Sequence, residues 1–494
     1  MHTSCPALLS TAVLAVLAVL AGCGDNIGFA PDATAPPAAV DARPPDARTE
    51  VVVPMVYGFE SRFRAGVTGV AYGDEVLIHI LLGELDRTLT GLTQAIDDGD
   101  VTPTAGETTA LLDRFYDFDV ERHGRTPLLL TTDPPLRQPT LDSVASFSDL
   151  NLRQAIAGND LTGAHRDWTN ALAGWDQDSV ASPDDLVRVW FAAIDAQAAD
   201  RAAGTIPTGP DGAPIPAVTV TPQGQDLQVL LRTFLLGAIT FARATDLHLD
   251  DADDGLGLAA SNAQLGEQLY SAAEHHWDRA FGLFGAAYEY GRYTDEERAG
   301  IGGREEWANG YHDTDISDGL IDVRYELNFG TSVLAAERDL DPGANLDYTE
   351  ALFTAFLTGR ALLQASGPTL SEERRGNLVT QRDIIVSAWE RVLVDSARRA
   401  LTDTLADMDA FGSASYDFAA HARHWSALKG HALSLQFSPF LTLSEADVAT
   451  LHGHLGTAPV LPDALPDDIS AYRTALEQAR ALLDTAYPNP AAAR

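Results

Sequence analysis

Two stretches of the sequence combine histidine with carboxylate side chains at helical spacing. The first, residues 262–285, contains Glu274-His275-His276-Trp277-Asp278. At 100° per residue, His276 lies within a stripe of leucine and alanine side chains, so it should face a core. Glu274 and Asp278 are four residues apart and share the margin of that face. The pattern predicts one imidazole and two carboxylates near a buried helix contact.

The second stretch, residues 414–436, places Asp417, His421, His424 and His431 on one helical stripe. Surface histidines do not require such an alignment. A carboxylate and three imidazoles on one face therefore indicate a polar seam between helices.

Facing helices of a bundle can build metal sites from side chains of this kind, and histidine with aspartate or glutamate suits zinc or iron. One hypothesis is a metal or small-ligand site between the two stretches. Its six candidate residues are His276, Glu274, Asp278, Asp417, His424 and His431. The alternative is that these are core histidines with backbone or carboxylate partners.

Other catalytic motifs fail on inspection. Ser426-Ala427-Leu428-Lys429 has the S-x-x-K spacing of penicillin-binding enzymes, but Lys429 is the only lysine, so no K-T-G partner exists. Neither acidic loop, 251–257 or 312–319, has the glycine and glutamate of an EF-hand. With 71 acidic and 33 basic residues, the net charge of −38 repels phosphate backbones and excludes nucleic acid as a partner.

The amino-terminal residues predict export and lipidation. An apolar run from Ala7 ends in Leu20-Ala21-Gly22-Cys23, which is a lipobox. The run is shorter than the ~20 residues of a membrane span but suits a signal peptide. We expect residues 1–22 to be removed, Cys23 to carry a lipid anchor in a bacterial membrane, and the protein to work in the cell envelope, on the outer membrane.

Residues 23–48 are rich in proline, alanine and aspartate, which predicts a disordered tether. From residue 49 to 494 the apolar spacing is helical. We predict an all-α fold of about nine helices in two packed bundles, 49–204 and 223–494, with long irregular loops such as 290–346. Short strands are expected only at 50–59 and 216–222. The nine helical stretches are 73–96, 107–118, 183–203, 225–247, 262–287, 347–366, 374–409, 414–436 and 467–486.

Three phrases, 274–285, 424–437 and 455–462, resemble the bacterial domain-of-unknown-function family 4856. This likeness runs from about residue 57 to 462 and implies an exported helical protein, distantly similar to imelysin-like proteins. Those carry a Gly-x-His-x-x-Glu motif, and the nearest phrases here, 163–168 and 430–434, lack its glutamate. Peptidase activity is therefore not implied.

The leading expectation is a non-enzymatic envelope lipoprotein whose helical domain binds a metal or a small ligand. A metal-dependent hydrolase using the same six residues is the rival from another class. The third alternative is an envelope scaffold in which the histidines are only structural.

Overall fold

The computed structural model describes residues 51–488, except for 147, 149, 161–165, 167, 169–170, 176–179 and 343–345. The predicted signal peptide, Cys23 and the predicted tether lie outside the described residues. Helix accounts for 55% of the structure and strand for 3%, with no sheet, which confirms the all-α class.

The described residues form fifteen α-helices, four of them with only four or five residues. Their bounds are α1 Gly73–Asp97, α2 Glu107–Tyr116, α3 Val120–His123, α4 Leu141–Ala145, α5 Leu152–Ala155, α6 Pro183–Ala202, α7 Leu227–Leu235, α8 Ala272–Phe284, α9 Asp295–Arg298, α10 Gly330–Asp339, α11 Tyr348–Gln364, α12 Glu372–Asp409, α13 Phe418–Ser434, α14 Glu445–Leu455 and α15 Pro466–Ala486.

The predicted number of about nine helices is too low. All nine predicted stretches contain a helix, and the additional ones are short. Helix α10 lies inside 290–346, which we expected to be irregular, and α14 follows a Ser444 cap that pairs reciprocally with Asp447. Short helices escape the periodicity test because ten residues span fewer than three turns.

Helix α8 starts ten residues later than the predicted stretch at 262. Ser271 and Glu274 form a capping box there, in which each side chain accepts a hydrogen bond from the other's backbone N–H. Glu274 is therefore a capping residue of the helix whose histidines we singled out.

The two predicted strands are not strands of a sheet. Val220 forms an isolated antiparallel bridge with Asp226, and the other nearby bridge joins Glu60 to Thr68, just beyond 50–59. Proline in both stretches removes the N–H donors that a ladder needs.

One continuous apolar core runs from Tyr57 to Tyr487 and contains fully buried Trp277 and Trp389. It takes residues from both predicted bundles, 49–204 and 223–494, whose packing as two separate bundles stays a prediction. Helix α7 continues through two π-helical turns, 236–241 and 243–248. Within the described residues, only this run, Leu227–His248, is long and apolar enough to cross a membrane. It is mostly buried inside the protein, as a core helix would be.

Helices α7 and α13 approach each other closely at glycine positions. Gly430 faces Thr233 and Gly237 faces Ser434, and neither position leaves room for a Cβ atom. The Ser434 hydroxyl donates to the Thr233 carbonyl oxygen at 2.7 Å. This contact fixes the register of α13 and hence the direction in which its histidines point.

Candidate functional site

Glu274 and Asp278 are bound by arginine. Arg360 of α11 donates to Glu274 Oε1 and to Asp278 Oδ1, both at 2.9 Å, and its side chain is 0% exposed. Arg62 donates to the same Glu274 oxygen at 2.8 Å, and the Tyr57 hydroxyl donates to Asp278 at 2.9 Å. The two carboxylates therefore belong to a buried ion-pair network.

Burial and the neighbouring arginine charges together set the pKa values of Asp278 and Glu274. Burial raises the pKa of Asp278 to about 6, although Arg360 and the Tyr57 hydrogen bond act in the opposite direction. Burial also acts to raise the pKa of Glu274, but Arg360 and Arg62 outweigh it and the net shift is downward. Since two guanidinium groups already supply the positive charge, the network has no need of a metal cation.

We predict that Arg360→Met lowers the free energy of unfolding by about 3–5 kcal/mol, because it leaves two buried carboxylates without their shared cation. Urea denaturation at pH 7 measures the loss. Arg473→Met is the control, since Arg473 pairs with Asp409 on the surface, where such pairs contribute about 1 kcal/mol or less. Equal losses in the two variants would contradict a structural role for the network.

His276 points into a different polar group from its neighbours Glu274 and Asp278. Its Nδ1 lies 3.0 Å from Nδ1 of His248, which ends the second π-helical turn. Arg279 of α8 donates to Glu75 of α1 at 2.6 Å, and Arg243 lies 3.8 Å from Asp160. We call these six residues, Glu75, Asp160, Arg243, His248, His276 and Arg279, the His276 cluster.

Three buried atoms of the His276 cluster have no hydrogen-bond partner among the described residues: Glu75 Oε2, Arg243 Nε and His248 Nε2. Burial lowers the pKa of both His276, to about 4, and His248, with Arg279 adding to each shift. Both imidazoles are therefore neutral at pH 7, and one Nδ1–H donates to the other Nδ1.

Burial also raises the pKa of Asp160 to about 7. The cluster thus contains perturbed groups beside a π-helical segment, and both features are common at functional sites. Its two arginines oppose the binding of a cation at the histidine pair.

We predict that His276→Asn reduces the loss in the free energy of unfolding that occurs when the pH is lowered. The pKa of His276 is about 4 in the folded protein and 6.5 ordinarily, so the unfolded chain binds more protons below pH 6.5. The wild-type contribution is complete above pH 6.5 and is lost as the pH falls towards 4. Urea unfolding at pH 7 and pH 5 should show a wild-type loss larger by about 2 kcal/mol than that of the variant.

His454→Asn, on the partly exposed end of α14, controls for removing an imidazole as such. If His276→Asn and wild type lost the same stability between pH 7 and pH 5, the assigned environment of His276 would be wrong.

Two members of the predicted seam on α13 share one carboxylate, since Asp407 lies 3.6 Å from His421 Nδ1 and 2.7 Å from His424 Nδ1. Asp417 is the N-cap of the helix and accepts from the Ala420 N–H at 3.0 Å. His421 lies 3.2 Å from the Val460 carbonyl oxygen through Nε2. His424 Nδ1 lies 2.7 Å from Asp407 of α12, a carboxylate that sequence analysis did not single out. His431 is 6% exposed, and its Nδ1 has no partner among the described residues.

His424 and His431 line the same cavity, which has a volume of about 560 Å³. Five segments form its walls: His79–Leu89 of α1, Gln228–Leu236 of α7 and the turn after it, Asn328–Arg338 around α10, Ser396–Asp403 of α12, and His424–His431 of α13. This volume is within the ~300–1,000 Å³ typical of small-molecule sites.

The six candidate residues therefore occupy three places: the Arg360 network, the His276 cluster and the α13 surface with its cavity. Among the described residues no group of three or more histidine, cysteine, aspartate or glutamate side chains could hold a metal ion. The residues that are present do not fit zinc or iron, and residues 163–165 of the imelysin-like phrase lie outside the described part of the chain.

Comparison with protein-family models, curated proteins and solved structures finds no match to this chain. The resemblance to family 4856 stays a prediction, and function has to be inferred from the chemistry of these sites.

Proposed function

We propose that the protein is a cell-envelope lipoprotein whose helical domain binds a small, elongated ligand in the cavity lined by His424 and His431. The observation that carries the proposal is the composition of that cavity. It combines an apolar surface with charged groups and a buried imidazole nitrogen that has no hydrogen-bond partner in the part of the chain that the structure describes.

The apolar surface is made of leucine, valine, phenylalanine and alanine side chains from all five wall segments. They include Leu82, Leu85, Leu231, Leu235, Val333, Leu334, Phe329, Ala400 and Ala427. Covering such a surface with an apolar ligand removes it from water and contributes about 25 cal/mol per Å². Small-molecule sites are typically lined in this way, mostly by apolar side chains with a few polar groups.

The cavity extends for about 12 Å along α10. Gly330 and Arg338, which both line it, are eight residues apart on α10, or about 12 Å at the helical rise. Leu236 lies near Gly330 at one end, while Arg232 and Arg338 act on the pKa of His431 at the other. An extended molecule could span this length.

The envelope location comes from the lipobox that ends in Cys23. A lipid on Cys23 and a flexible tether of about 25 residues would hold the domain at a root-mean-square distance of roughly 25–30 Å from the membrane surface.

We predict that the wild-type precursor, expressed in a bacterial host, incorporates radioactive palmitate and sediments with membranes. Cys23→Ser removes the thiol that accepts the lipid and should abolish both. Cys5→Ser is the matched control, because Cys5 lies within the predicted signal peptide and its loss leaves the lipobox intact. Palmitate incorporation that survives Cys23→Ser would contradict lipidation at this residue.

We predict that Ala427→Trp blocks the cavity. N-phenyl-1-naphthylamine, a neutral apolar dye that fluoresces on leaving water, should bind wild type and lose at least tenfold in affinity in the variant. Ala427 is partly exposed on the cavity wall, so a larger ring there competes with the ligand rather than with the core.

Ala406→Trp, on the exposed face of α12, provides the control and should bind the dye like wild type. Circular dichroism of both variants establishes that the fold is intact. Absence of dye binding to wild type, or equal binding to both variants, would leave a purely structural role as the better explanation.

A further inference from the structure

Some polar groups that line the cavity already form hydrogen bonds or ion pairs within the described part of the protein, and others do not. Only groups of the second kind are free to recognise a ligand. Asp86 accepts from Gln228 at 3.0 Å, Arg87 pairs with Glu84 at 3.1 Å, and the Asn328 side chain donates to the Gly310 carbonyl oxygen at 3.1 Å. These groups are committed within the protein and contribute little to recognition.

The same holds for several groups nearer α12 and α13. Arg399 pairs with Asp341 at 2.9 Å and with Asp403 at 3.2 Å, and His424 with Asp407 at 2.7 Å. The hydroxyl groups of Thr233 and Ser396 donate to carbonyl oxygens of their own helices. Arg338 lies 3.2 Å from Asp341.

Two groups remain. Arg232 projects from α7, and no carboxylate lies within 4.0 Å of it anywhere in the described part of the chain. His431 Nδ1 is buried on α13 and has no hydrogen-bond partner among the residues described. Thr233 and Gly430, the chain neighbours of Arg232 and His431, are in contact where α7 meets α13, so Arg232 and His431 line the same end of the cavity.

The cavity lining has a different balance of charge from the protein as a whole. Acidic residues outnumber basic ones by 71 to 33 in the whole chain, yet four arginines and three carboxylates line the cavity. Burial, together with Arg338 and Arg232, lowers the pKa of His431 to about 3, so its imidazole is neutral. It can donate an N–H to an oxyanion without adding a charge of its own.

We infer that the ligand is an elongated apolar molecule that ends in a carboxylate, with Arg232 pairing the carboxylate, His431 donating to it, and the apolar surface covering the chain. This inference rests on the proposed binding function of the cavity. A guanidinium group binds a carboxylate through two parallel hydrogen bonds, which suits a single unpaired arginine at the end of an apolar recess.

Glu337 also lines this end, 3.7 Å from Arg338, and argues for the opposite preference. Its side chain is 45% exposed and forms no ion pair with Arg232 among the described residues, so it neutralises only part of the positive charge at this end. The experiment therefore includes a cationic ligand as a direct competitor.

Three twelve-carbon probes of equal chain length test the inference by displacing N-phenyl-1-naphthylamine: dodecanoate, 1-dodecanol and dodecyltrimethylammonium, each below its aggregation concentration. For wild type at pH 7.5 we expect dodecanoate to displace the dye at a concentration at least tenfold lower than 1-dodecanol, and the cation to be the weakest. Arg232→Gln should bring dodecanoate to within about threefold of 1-dodecanol and leave displacement by the alcohol unchanged.

Arg423→Gln is the matched control, since Arg423 is an exposed arginine on α13 that does not line the cavity, and it should keep the wild-type preference. Equal displacement by dodecanoate and 1-dodecanol in wild type, or stronger displacement by the cation, would overturn the carboxylate inference and leave cavity binding standing. Failure of wild type to bind the dye would instead remove the proposed function. A preference for dodecanoate that survives Arg232→Gln would show that Arg232 is not the recognition group.

Discussion

The arrangement of α8, α11 and the segment before α1 depends on the hydrogen bonds and ion pairs of the buried Arg360 guanidinium. This group joins α11 to two carboxylates of α8, and it also donates to the Gly69 carbonyl oxygen of the segment before α1. A buried charge is tolerated only when it is paired and its donors are satisfied, so these three parts of the chain are held in one arrangement. Helix α8 then has a single orientation, which directs His276 away from Arg360 and towards the π-helical turns.

The cavity is a consequence of how α7 is placed. Glycine contacts bring α13 close to α7 at Gly430 and Gly237, whereas α1, α10 and α12 surround the rest of the helix at a greater distance. The space left between them has apolar walls because α7 is apolar on nearly every side. Arg232 is the only charged residue of α7, and it lies where the helix meets this space.

Periodicity located most of the helices because each long helix carries an apolar stripe that a local window can detect. Helix α12, predicted at 374–409, spans Glu372–Asp409, and α15, predicted at 467–486, spans Pro466–Ala486. The same method missed α10, whose first residue is Gly330 and whose ten residues carry little apolar pattern. That helix forms one wall of the cavity, so the complete lining of the cavity could not be predicted from the sequence.

The same limit applies to the candidate residues. The stripe on α13 predicted His424 and His431 on one helical face, because their spacing of seven residues is a property of the helix itself, and both line the cavity. Nothing local indicated Asp407 as the partner of His424, or His248 as the partner of His276. Arg232 could have been recognised in the sequence as a candidate, because it is a single charged residue within an apolar helix.

The sequence by itself determined the helical class, the histidine stripe of α13 and the lipobox that predicts the protein's location, since all three are patterns within short segments. Only the tertiary structure decided which charges neutralise Glu274 and Asp278, because Arg62 is 212 residues from Glu274 along the chain and Arg360 is 86 residues away. Contacts between such distant residues depend on packing that no local pattern encodes. The same packing set the His276 cluster apart from the cavity, and so distributed among three places the six residues that the sequence had suggested as one site.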